Sequence, residues 1–325
     1  MSNWLHTFYP VVIVSLFYAV CGQDFGYDGS EGPTHWGEKY RQCIGKHQSP
    51  INIEDHNVET IWLYPMRFEH FGEKPEYAEM KNNGHTVTLT MKMKHPNKMP
   101  MISGGPLIGK YEFAQLHFHW GSHDSEGSEN TINNSSFPME LHMVFYQKAY
   151  GSFDNAVEHP DGLTVLAFLF SNSDKPNKHY EPLEEVLPHL EFVNLTRPLK
   201  TMPTLDALTM KNRSVYYTYG GSLTTPPCSE VVTWIEFKNT VPMAHSQIEA
   251  FRHLKDEHGN LMSHNFRPTQ PLYGRLIRMV FDDQKHYYLV QNEYEKASAV
   301  SHCASLVVSL VATVSSLLLT NKYII

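Results

Sequence analysis

Short runs of alternating apolar and polar residues recur along most of the chain, and this feature constrains its fold more than any other. Glycine, proline and asparagine residues separate the runs. Because successive side chains of a strand point to opposite faces of a sheet, such alternation predicts β-strands. The clearest runs are His85–Met93, Tyr111–Trp120, Met139–Gln147, Leu163–Phe170 and Ser229–Phe237. The sequence therefore predicts a large sheet.

Helical periodicity is limited to two short segments. His245–Leu254 is the better helix candidate, whereas Pro182–Leu190 is shorter and is interrupted by Pro188. The 325 residues show no repeat and no internal linker, so residues 23–296 are predicted to form one domain. We expect a mainly β domain of the α+β class, with short helices at its periphery.

The charge balance argues against a nucleic-acid partner. The chain has 26 Lys and Arg residues against 34 Asp and Glu residues, which gives a formal net charge of −8. No block of basic residues stands out in the sequence. Because binding to a phosphate backbone depends on such positive charge, we expect no nucleic acid among the partners.

Both ends of the chain have the composition of processing signals. Residues 1–22 contain an apolar stretch, Val11–Val20, followed by small residues, which predicts a secretory signal peptide although a basic start is lacking. Residues 297–325 contain the 16-residue apolar stretch Ala304–Leu319. As a helix it would span about 24 Å, less than a hydrocarbon core of roughly 30 Å.

This short tail favours a C-terminal signal that is removed when a glycosylphosphatidylinositol anchor is attached. Two alternatives stay open. A single transmembrane helix could have Lys322 as its cytoplasmic flank, or the tail could be a buried C-terminal helix. The two terminal signals together predict a protein at the extracellular face of the cell membrane, reached through the secretory pathway.

The four cysteines are consistent with export. Cys21 lies in the predicted signal peptide and Cys303 in the terminal segment, which leaves Cys43 and Cys228 as the pair in the mature domain. In an exported protein this pair predicts a disulfide, and the alternative is two separate buried thiols. Four sequons are candidate glycosylation sites: Asn133, Asn134, Asn194 and Asn212.

Two histidines lie two residues apart in one predicted strand. His117 and His119 therefore point to the same face, while Leu116, Phe118 and Trp120 point to the other. A second predicted strand carries His142, and the segment between the strands is rich in turn-forming residues. An antiparallel return of the second strand would bring the three imidazoles to one point.

Single histidines on apolar strands are usually hydrogen-bonded core residues, but burying three of them unpaired would cost several kcal/mol. Three neutral nitrogen ligands leave one open position on a tetrahedral zinc ion, as in catalytic zinc sites. The HExxH pattern of metalloproteases is missing from the sequence. Gln115 and Glu140, each two residues before a histidine, are candidates to fix imidazole tautomers.

Seven blocks of the sequence resemble the α-class carbonic anhydrases, in the order and with the spacing of that family. They are QLHFHWGSHDSEGSEN, MELHMV, NNGH, PDGLTVL, YTYGGSLTTPP, VTWIEF and HNFRPTQPL. The resemblance extends from Gly26 to about Tyr288, and the terminal signals and cysteine pair resemble the extracellular, lipid-anchored branch. It implies a twisted, mostly antiparallel central sheet of about ten strands and reversible hydration of carbon dioxide to bicarbonate.

The resemblance also implies a role for individual residues. His117, His119 and His142 would bind Zn²⁺, with Asn265 among the residues that support them. Thr224 would donate a hydrogen bond to Glu129 and thereby orient the nucleophile. His85 matches the proton shuttle. The residues matching the water chain are Tyr27, Asn83 and Thr88. Thr225 matches the bicarbonate side of the site, and the apolar wall for carbon dioxide matches Val144, Val165, Leu223, Val232 and Trp234.

The chain departs from the family pattern at four positions near the site. Asn130 stands where the family generally has a histidine, and it is still expected to donate to Glu140 with turnover unchanged or reduced. Phe25 and Phe266 replace tryptophans, which keeps aromatic packing but removes an N–H donor. Thr88 occupies a position that varies within the family, so the efficiency of the proton shuttle is not fixed by the resemblance.

Two other functions compete with this interpretation. Family members that act as surface adhesion or binding modules typically lack one or more of the zinc histidines, whereas this chain has all three. A zinc esterase could use the same nucleophile on activated esters. The small apolar recess favours carbon dioxide as the substrate and makes ester hydrolysis a side activity.

Overall fold

The computed structural model describes residues 25–201 and 203–281. The predicted signal peptide at residues 1–22, the predicted anchor segment at residues 297–325, Cys21 and Cys303 lie outside these residues. Among the helices within the described residues, none combines the length and the apolar character that crossing a membrane requires.

The described residues form fourteen strands and five short α-helices. The strands are β1 (Asn52–Ile53), β2 (Glu59–Ile61), β3 (Arg67–Glu69), β4 (Tyr77–Asn82), β5 (Val87–Lys92), β6 (Met101–Ser103), β7 (Lys110–Trp120), β8 (Thr131–Ile132), β9 (Met139–Gln147), β10 (Leu163–Ser173), β11 (Thr196–Pro198), β12 (Val215–Gly221), β13 (Val232–Ala244) and β14 (Arg278–Phe281). The α-helices are α1 (Trp36–Lys39), α2 (Phe153–Ala156), α3 (Glu181–Glu184), α4 (Leu205–Leu208) and α5 (His245–Arg252). Single 3₁₀ turns occur at Gly29–Glu31, Arg41–Ile44, Asp55–Asn57, Pro96–Lys98, Lys148–Tyr150 and Leu187–His189.

Twelve of these strands belong to one sheet. Its continuous path is β11-β4-β5-β7-β9-β10-β13-β12-β14-β2, and β3 joins it through β6, which pairs with β7. The pairs β10–β13 and β14–β2 are parallel, and the other pairs of this sheet are antiparallel. A separate parallel pair joins β1 and β8. The prediction of a mainly β fold with a large, mostly antiparallel sheet is confirmed, with twelve strands instead of about ten.

All five predicted strand segments are strands in the structure. β9 has the predicted bounds, whereas β13 begins at Val232 instead of Ser229 and continues to Ala244. The predicted helix at His245–Leu254 is α5. The Pro182–Leu190 segment splits into α3 and a 3₁₀ turn that has Pro188 in its first positions, because proline cannot donate the backbone hydrogen bond that would continue α3.

The central strands are buried on both faces, and alternation divides their side chains between two environments. In β7, Leu116, Phe118 and Trp120 pack into the large hydrophobic core, as predicted, and the histidines between them face away from it. In β9, Leu141 and Met143 join the same core. The opposite face of the sheet therefore presents the polar residues of the candidate site.

Cys43 and Cys228 form a disulfide, so the predicted bridge is confirmed and the alternative of two separate thiols is wrong. The bond joins residues 185 positions apart in the sequence. Restricting so long a loop in the unfolded chain stabilises the fold by roughly 2–5 kcal/mol. Both cysteines pack with Phe25 and Trp36 in a small cluster beside the site.

Candidate metal centre

Three histidines on two adjacent strands form the centre of the candidate site. β7 and β9 are antiparallel, as predicted, and their register places His117 directly opposite His142. His119 lies on the same face of β7. Each of the three rings offers one nitrogen, and these nitrogens lie within 4.8 Å of one another, close enough to share a single ion.

The other nitrogen of each ring is held by a neighbouring oxygen, which fixes the tautomer and the orientation of the ring. The acceptor is a side-chain oxygen for two of the rings and a backbone carbonyl for the third. The pairs are His117 Nδ1 with Gln115 Oε1 at 3.0 Å, His142 Nε2 with Glu140 Oε1 at 2.7 Å, and His119 Nδ1 with the Asn265 carbonyl at 2.8 Å. The structure thus places all three supporting residues named from the sequence beside their histidines.

Burial favours the neutral form of two of these imidazoles, those of His117 and His119. Burial first, and then the neighbouring histidines, lower the pKa of His117 and His119 well below the usual value. Among the described residues, the inward-facing Nε2 of His119 is buried and has no hydrogen-bond partner. A converging set of neutral nitrogen lone pairs is the donor set that Zn²⁺ prefers, so the residues present fit a zinc ion.

A buried carboxylate lies beside the inward-facing nitrogens of His119 and His142. Glu129 Oε1 accepts a hydrogen bond from the backbone N–H of Arg267 at 2.9 Å, and Oε2 lies 3.5 Å from His119 Nε2. Burial raises the pKa of Glu129 well above its usual value, and hydrogen bonds from the Arg267 backbone and the Thr224 hydroxyl partly offset this rise. Glu129 Oε2 is buried and has no hydrogen-bond partner among the described residues, and Thr224 lies near enough to Glu129 to lower its pKa.

The residues expected to form an apolar wall are gathered beside the histidines. They belong to one hydrophobic cluster, in which Leu223 is partly buried and the others are buried: Val144, Val165, Leu223, Val232 and Trp234. The Trp234 ring lies 4.8 Å from the His142 ring, measured between centroids. Thr225, next to Thr224, is half-buried. The centre therefore has a polar side at Glu129 and an apolar side at Trp234.

His85 lies at the outer part of the site and is half-buried. Its ring stacks on Phe25, with centroids 3.9 Å apart and an angle of 14° between the rings. The Asn83 side chain accepts hydrogen bonds from the backbone N–H groups of His85 and Thr86, which holds the turn around Gly84 at φ +91°. Asn83 thus supports the backbone that presents His85.

The other two residues expected in the water chain each have one neighbour in the site, Thr88 beside His117 and Tyr27 beside His85. Thr88 is the cross-strand partner of His117. The Tyr27 hydroxyl is buried without a hydrogen-bond partner among the described residues. Burial first, and then the Glu129 charge, raise the pKa of Tyr27 well above its usual value. Tyr27 and His85 line a common recess of about 40 Å³.

Asn130 connects the support of His142 to a second buried carboxylate. Its Nδ2 donates to Glu140 Oε1 at 2.9 Å, as expected, and also to Glu236 Oε2 at 3.1 Å. Its Oδ1 accepts from the Ile51 backbone N–H at 3.2 Å and from the Tyr219 hydroxyl at 3.0 Å. Asn130 therefore uses its donor and acceptor groups fully and holds Glu140 in place.

Sequence reasoning missed two buried charged residues of this region. Glu236 accepts a hydrogen bond from Asn130. The one feature of the sequence that could have indicated its role is that it is the only acidic residue in the apolar run VTWIEF. Arg267 lies in the HNFRPTQPL block, where it was given no role. Its guanidinium donates to Gln48, Ser49 and Cys43, so Arg267 ties the block that supports Glu129 to the segment around the disulfide.

The four sequons all have exposed asparagines: Asn133, Asn134, Asn194 and Asn212. Asn133 also exchanges hydrogen bonds with Asp55. Phe266, the other departure from a tryptophan, is half-buried, and its ring lies 6.0 Å from that of His264.

Comparison with known proteins provides independent evidence on the family of the chain. A family model described as eukaryotic-type carbonic anhydrase matches residues 31–281. The chain is 37% identical over 264 residues to carbonic anhydrase 7 of Mus musculus, covering 79% of this chain and 97% of the relative. It is 37% identical over 258 residues to carbonic anhydrase 15 of Mus musculus, and the match covers 76% of this chain and 79% of the relative. It is 33% identical over 297 residues to carbonic anhydrase 6 of Mus musculus, and the match covers 88% of this chain and 91% of the relative.

Proposed function

The chain belongs to the eukaryotic-type carbonic anhydrase family and is a carbonate dehydratase, and from this premise we propose that it uses zinc to hydrate carbon dioxide at the extracellular membrane surface. The observation that carries the zinc assignment is the histidine centre. Three ring nitrogens converge within 4.8 Å, and the opposite nitrogens are bound by Gln115, Asn265 and Glu140. When bound, zinc supplies a Lewis acid that makes a nucleophile from water near neutral pH, and carbonic anhydrase is itself the standard example of this chemistry.

Thr224 and Glu129 orient the nucleophile. Glu129 Oε1 accepts a hydrogen bond from the Arg267 backbone N–H, and Glu129 Oε2, which has no hydrogen-bond partner among the described residues, is the oxygen to which the Thr224 hydroxyl would donate. Because that hydroxyl donates its only proton to Glu129, its oxygen is left to accept a hydrogen bond from the nucleophile. Thr224 therefore selects the orientation in which a lone pair of the nucleophile points toward the substrate.

Carbon dioxide occupies the apolar side of the site. The molecule is small, linear and weakly polar, so it gains little from hydrogen-bond donors and is favoured by contact with apolar side chains. Val144, Val165 and Trp234 are buried side chains of the cluster that adjoins His142. Thr225, on the same loop as Thr224, would contact the bicarbonate product.

His85 carries the released proton toward solvent. Imidazole side chains exchange protons near neutral pH. His85 is half-buried and lines a recess together with Tyr27, and Thr88 is the cross-strand partner of His117. These positions support a route from the centre through ordered polar groups to His85 and then to external buffer.

The decisive experiment measures metal and activity together. The purified, zinc-loaded protein should contain one zinc per chain and should accelerate hydration of carbon dioxide in stopped-flow or isotope-exchange assays. His117→Ala should lose both properties, whereas His189→Ala, which changes an exposed histidine, should keep both. Wild-type activity no higher than that of His117→Ala would refute the proposal.

The intact histidine centre also separates the rival functions. A binding module without catalysis has no need for three imidazoles whose second nitrogens are all held by acceptors. Hydrolysis of activated esters by the same site is expected only as a side activity, since the apolar recess beside Trp234 suits a small substrate.

We assign the membrane attachment to the C-terminal segment, as a lipid anchor. The support is the sequence of residues 297–325, whose apolar stretch of 16 residues is short for a spanning helix. Treatment of intact cells with a phospholipase specific for glycosylphosphatidylinositol should release the protein. Retention after complete digestion of a known lipid-anchored marker would favour a single transmembrane helix.

A further inference from the structure

Glu236 is a buried carboxyl group for which the proposed mechanism has no use. It lies in β13, and its neighbour in the register of β10 is Ala167, whose own neighbour in β9 is His142. Because residues paired across neighbouring strands point to the same face of a sheet, Glu236 lies on the face that carries the metal centre.

Three hydrogen bonds in series connect Glu236 to His142. Glu236 Oε2 accepts from Asn130 Nδ2 at 3.1 Å, and the same nitrogen donates to Glu140 Oε1 at 2.9 Å. Glu140 Oε1 in turn lies 2.7 Å from His142 Nε2. Asn130, Glu140 and Glu236 are completely buried, so bulk solvent does not compete for these bonds.

Glu236 gives the Asn130 amide an acceptor for its second N–H. One N–H bonds to Glu140 and the other to Glu236, while Oδ1 accepts from the Ile51 backbone N–H and the Tyr219 hydroxyl. A buried N–H without an acceptor is unfavourable. Glu236 therefore stabilises the orientation of the amide in which Nδ2, and not Oδ1, faces Glu140.

The two carboxyl groups bonded to Asn130 have unequal numbers of donors. Glu140 Oε2 accepts from the backbone N–H groups of Glu129 and Asn130, both at 2.8 Å, in addition to the two bonds at Oε1. Among the described residues, Glu236 receives an N–H only from Asn130, and its Oε1 is buried with no hydrogen-bond partner. Because a buried ionised carboxylate needs several donors or a cation, the negative charge is stabilised at Glu140 and not at Glu236.

We propose that Glu236 is a positioning residue of the metal centre that works as a neutral carboxylic acid; this inference rests on the zinc function proposed above. The acid offers Asn130 an acceptor without placing a second negative charge beside Glu140. Burial first, and then Glu140, raise the pKa of Glu236 well above its usual value, which favours this form. Asn130 then directs its other N–H to Glu140, and Glu140 holds the His142 ring in the orientation that zinc requires.

Infrared spectroscopy of the metal-free protein tests the protonation state near neutral pH. Glu236→Gln keeps the size of a neutral acid and its acceptor oxygen. The wild type should show the C=O stretch of a protonated carboxyl group, and Glu236→Gln should lose it. The control Glu185→Gln, at an exposed glutamate, should lose carboxylate bands instead. Loss of carboxylate bands in Glu236→Gln would mean that Glu236 is ionised, and the proposal would be overturned.

Chelator competition tests the positioning role. Glu236→Leu removes the acceptor but keeps a side chain of similar size, so zinc affinity should fall by up to about 10-fold, the lower end of the range for residues that support metal ligands. Glu236→Gln should bind zinc as tightly as the wild type, because its amide oxygen accepts the Asn130 N–H. Unchanged affinity in Glu236→Leu contradicts a positioning role. An equal loss in both variants would make the charge of Glu236 the important feature, which also contradicts the proposal.

The two measurements separate this inference from the zinc function itself. The infrared comparison needs neither a bound metal nor a folded Glu236→Leu variant. If the wild type binds no zinc, the zinc function and the positioning role are both wrong. If the wild type binds zinc and hydrates carbon dioxide while Glu236 is ionised, only the present inference is wrong.

Discussion

The histidine centre and the region around His85 serve one site but are held in different ways. At the centre, His119 and His142 are each 1% exposed, and their second nitrogens bond to buried acceptors. His85 is half-buried, and its ring is held by stacking on Phe25. A metal centre needs fixed ligand geometry, whereas a proton carrier must reach both the site and solvent. The difference in support follows this difference in task.

The largest effect that tests this comparison should come from Asn130→Asp. The variant keeps an oxygen for the Ile51 N–H and the Tyr219 hydroxyl but replaces the N–H donor that bridges Glu140 and Glu236 with a third carboxylate. Burial first, and then Glu140, already raise the pKa of Glu236 well above its usual value, so another acidic group there is unfavourable. Zinc affinity should fall about 10- to 100-fold, and the free energy of unfolding by roughly 1–3 kcal/mol.

Chelator competition measures the affinity, and denaturant unfolding of the metal-free protein measures the stability. The matched control is Asn172→Asp, which makes the same chemical change at an exposed asparagine and should alter neither quantity. If Asn130→Asp binds zinc as tightly as the wild type, the hydrogen bond from Asn130 to Glu140 does not contribute to zinc affinity.

The extent to which the sequence predicted this site follows from how local each signal is. Alternation within β7 was sufficient to place His117 and His119 on one face, and the family blocks located Thr224 and Glu129. The Arg267–Glu129 contact joins residues 138 positions apart. The guanidinium of Arg267 donates to acceptors in a third segment, residues 43–49. Such contacts depend on packing between distant parts of the chain, so no local pattern predicts them. The extra edge strands were missed because β2, β3 and β6 have only three residues each.

His85→Ala should affect turnover and leave the centre intact. Removing the imidazole removes the proton carrier, so turnover at low buffer concentration should fall about 10- to 100-fold, near the lower end of general acid–base effects because buffer partly replaces it. Zinc content and kcat/KM should change little. Added imidazole should restore turnover. His95→Ala, at an exposed histidine after β5, is the control, and unchanged turnover in His85→Ala would place the proton route elsewhere.

Phe25→Leu should produce a smaller version of the same defect. The substitution keeps an apolar side chain in the disulfide cluster but removes the ring on which His85 stacks. Aromatic stacking contributes about 0.5–1.5 kcal/mol, which corresponds to roughly a 2- to 10-fold change in the population of the stacked ring. Turnover at low buffer should change by no more than this factor. Phe25→Trp retains an aromatic face and should behave as the wild type; identical turnover in Phe25→Leu would show that stacking does not position the shuttle.

The smallest effect should come from Asp55, an exposed residue that forms an ion pair with Lys238. The Tyr217 hydroxyl donates a hydrogen bond to Asp55, and Asn133 and Lys238 also donate to it. These bonds, Tyr217 first, lower the pKa of Asp55 below its usual value. The ionised carboxylate therefore stabilises the fold at pH values above its unfolded-state pKa, and this contribution is lost as the pH falls through the folded-state pKa.

Because Asp55 is largely exposed to solvent, Asp55→Asn should lower the free energy of unfolding by less than about 1 kcal/mol at pH 7. The difference between the metal-free variant and wild type in urea unfolding should shrink toward pH 3, and a difference that stays constant with pH would show that the Asp55 charge contributes nothing.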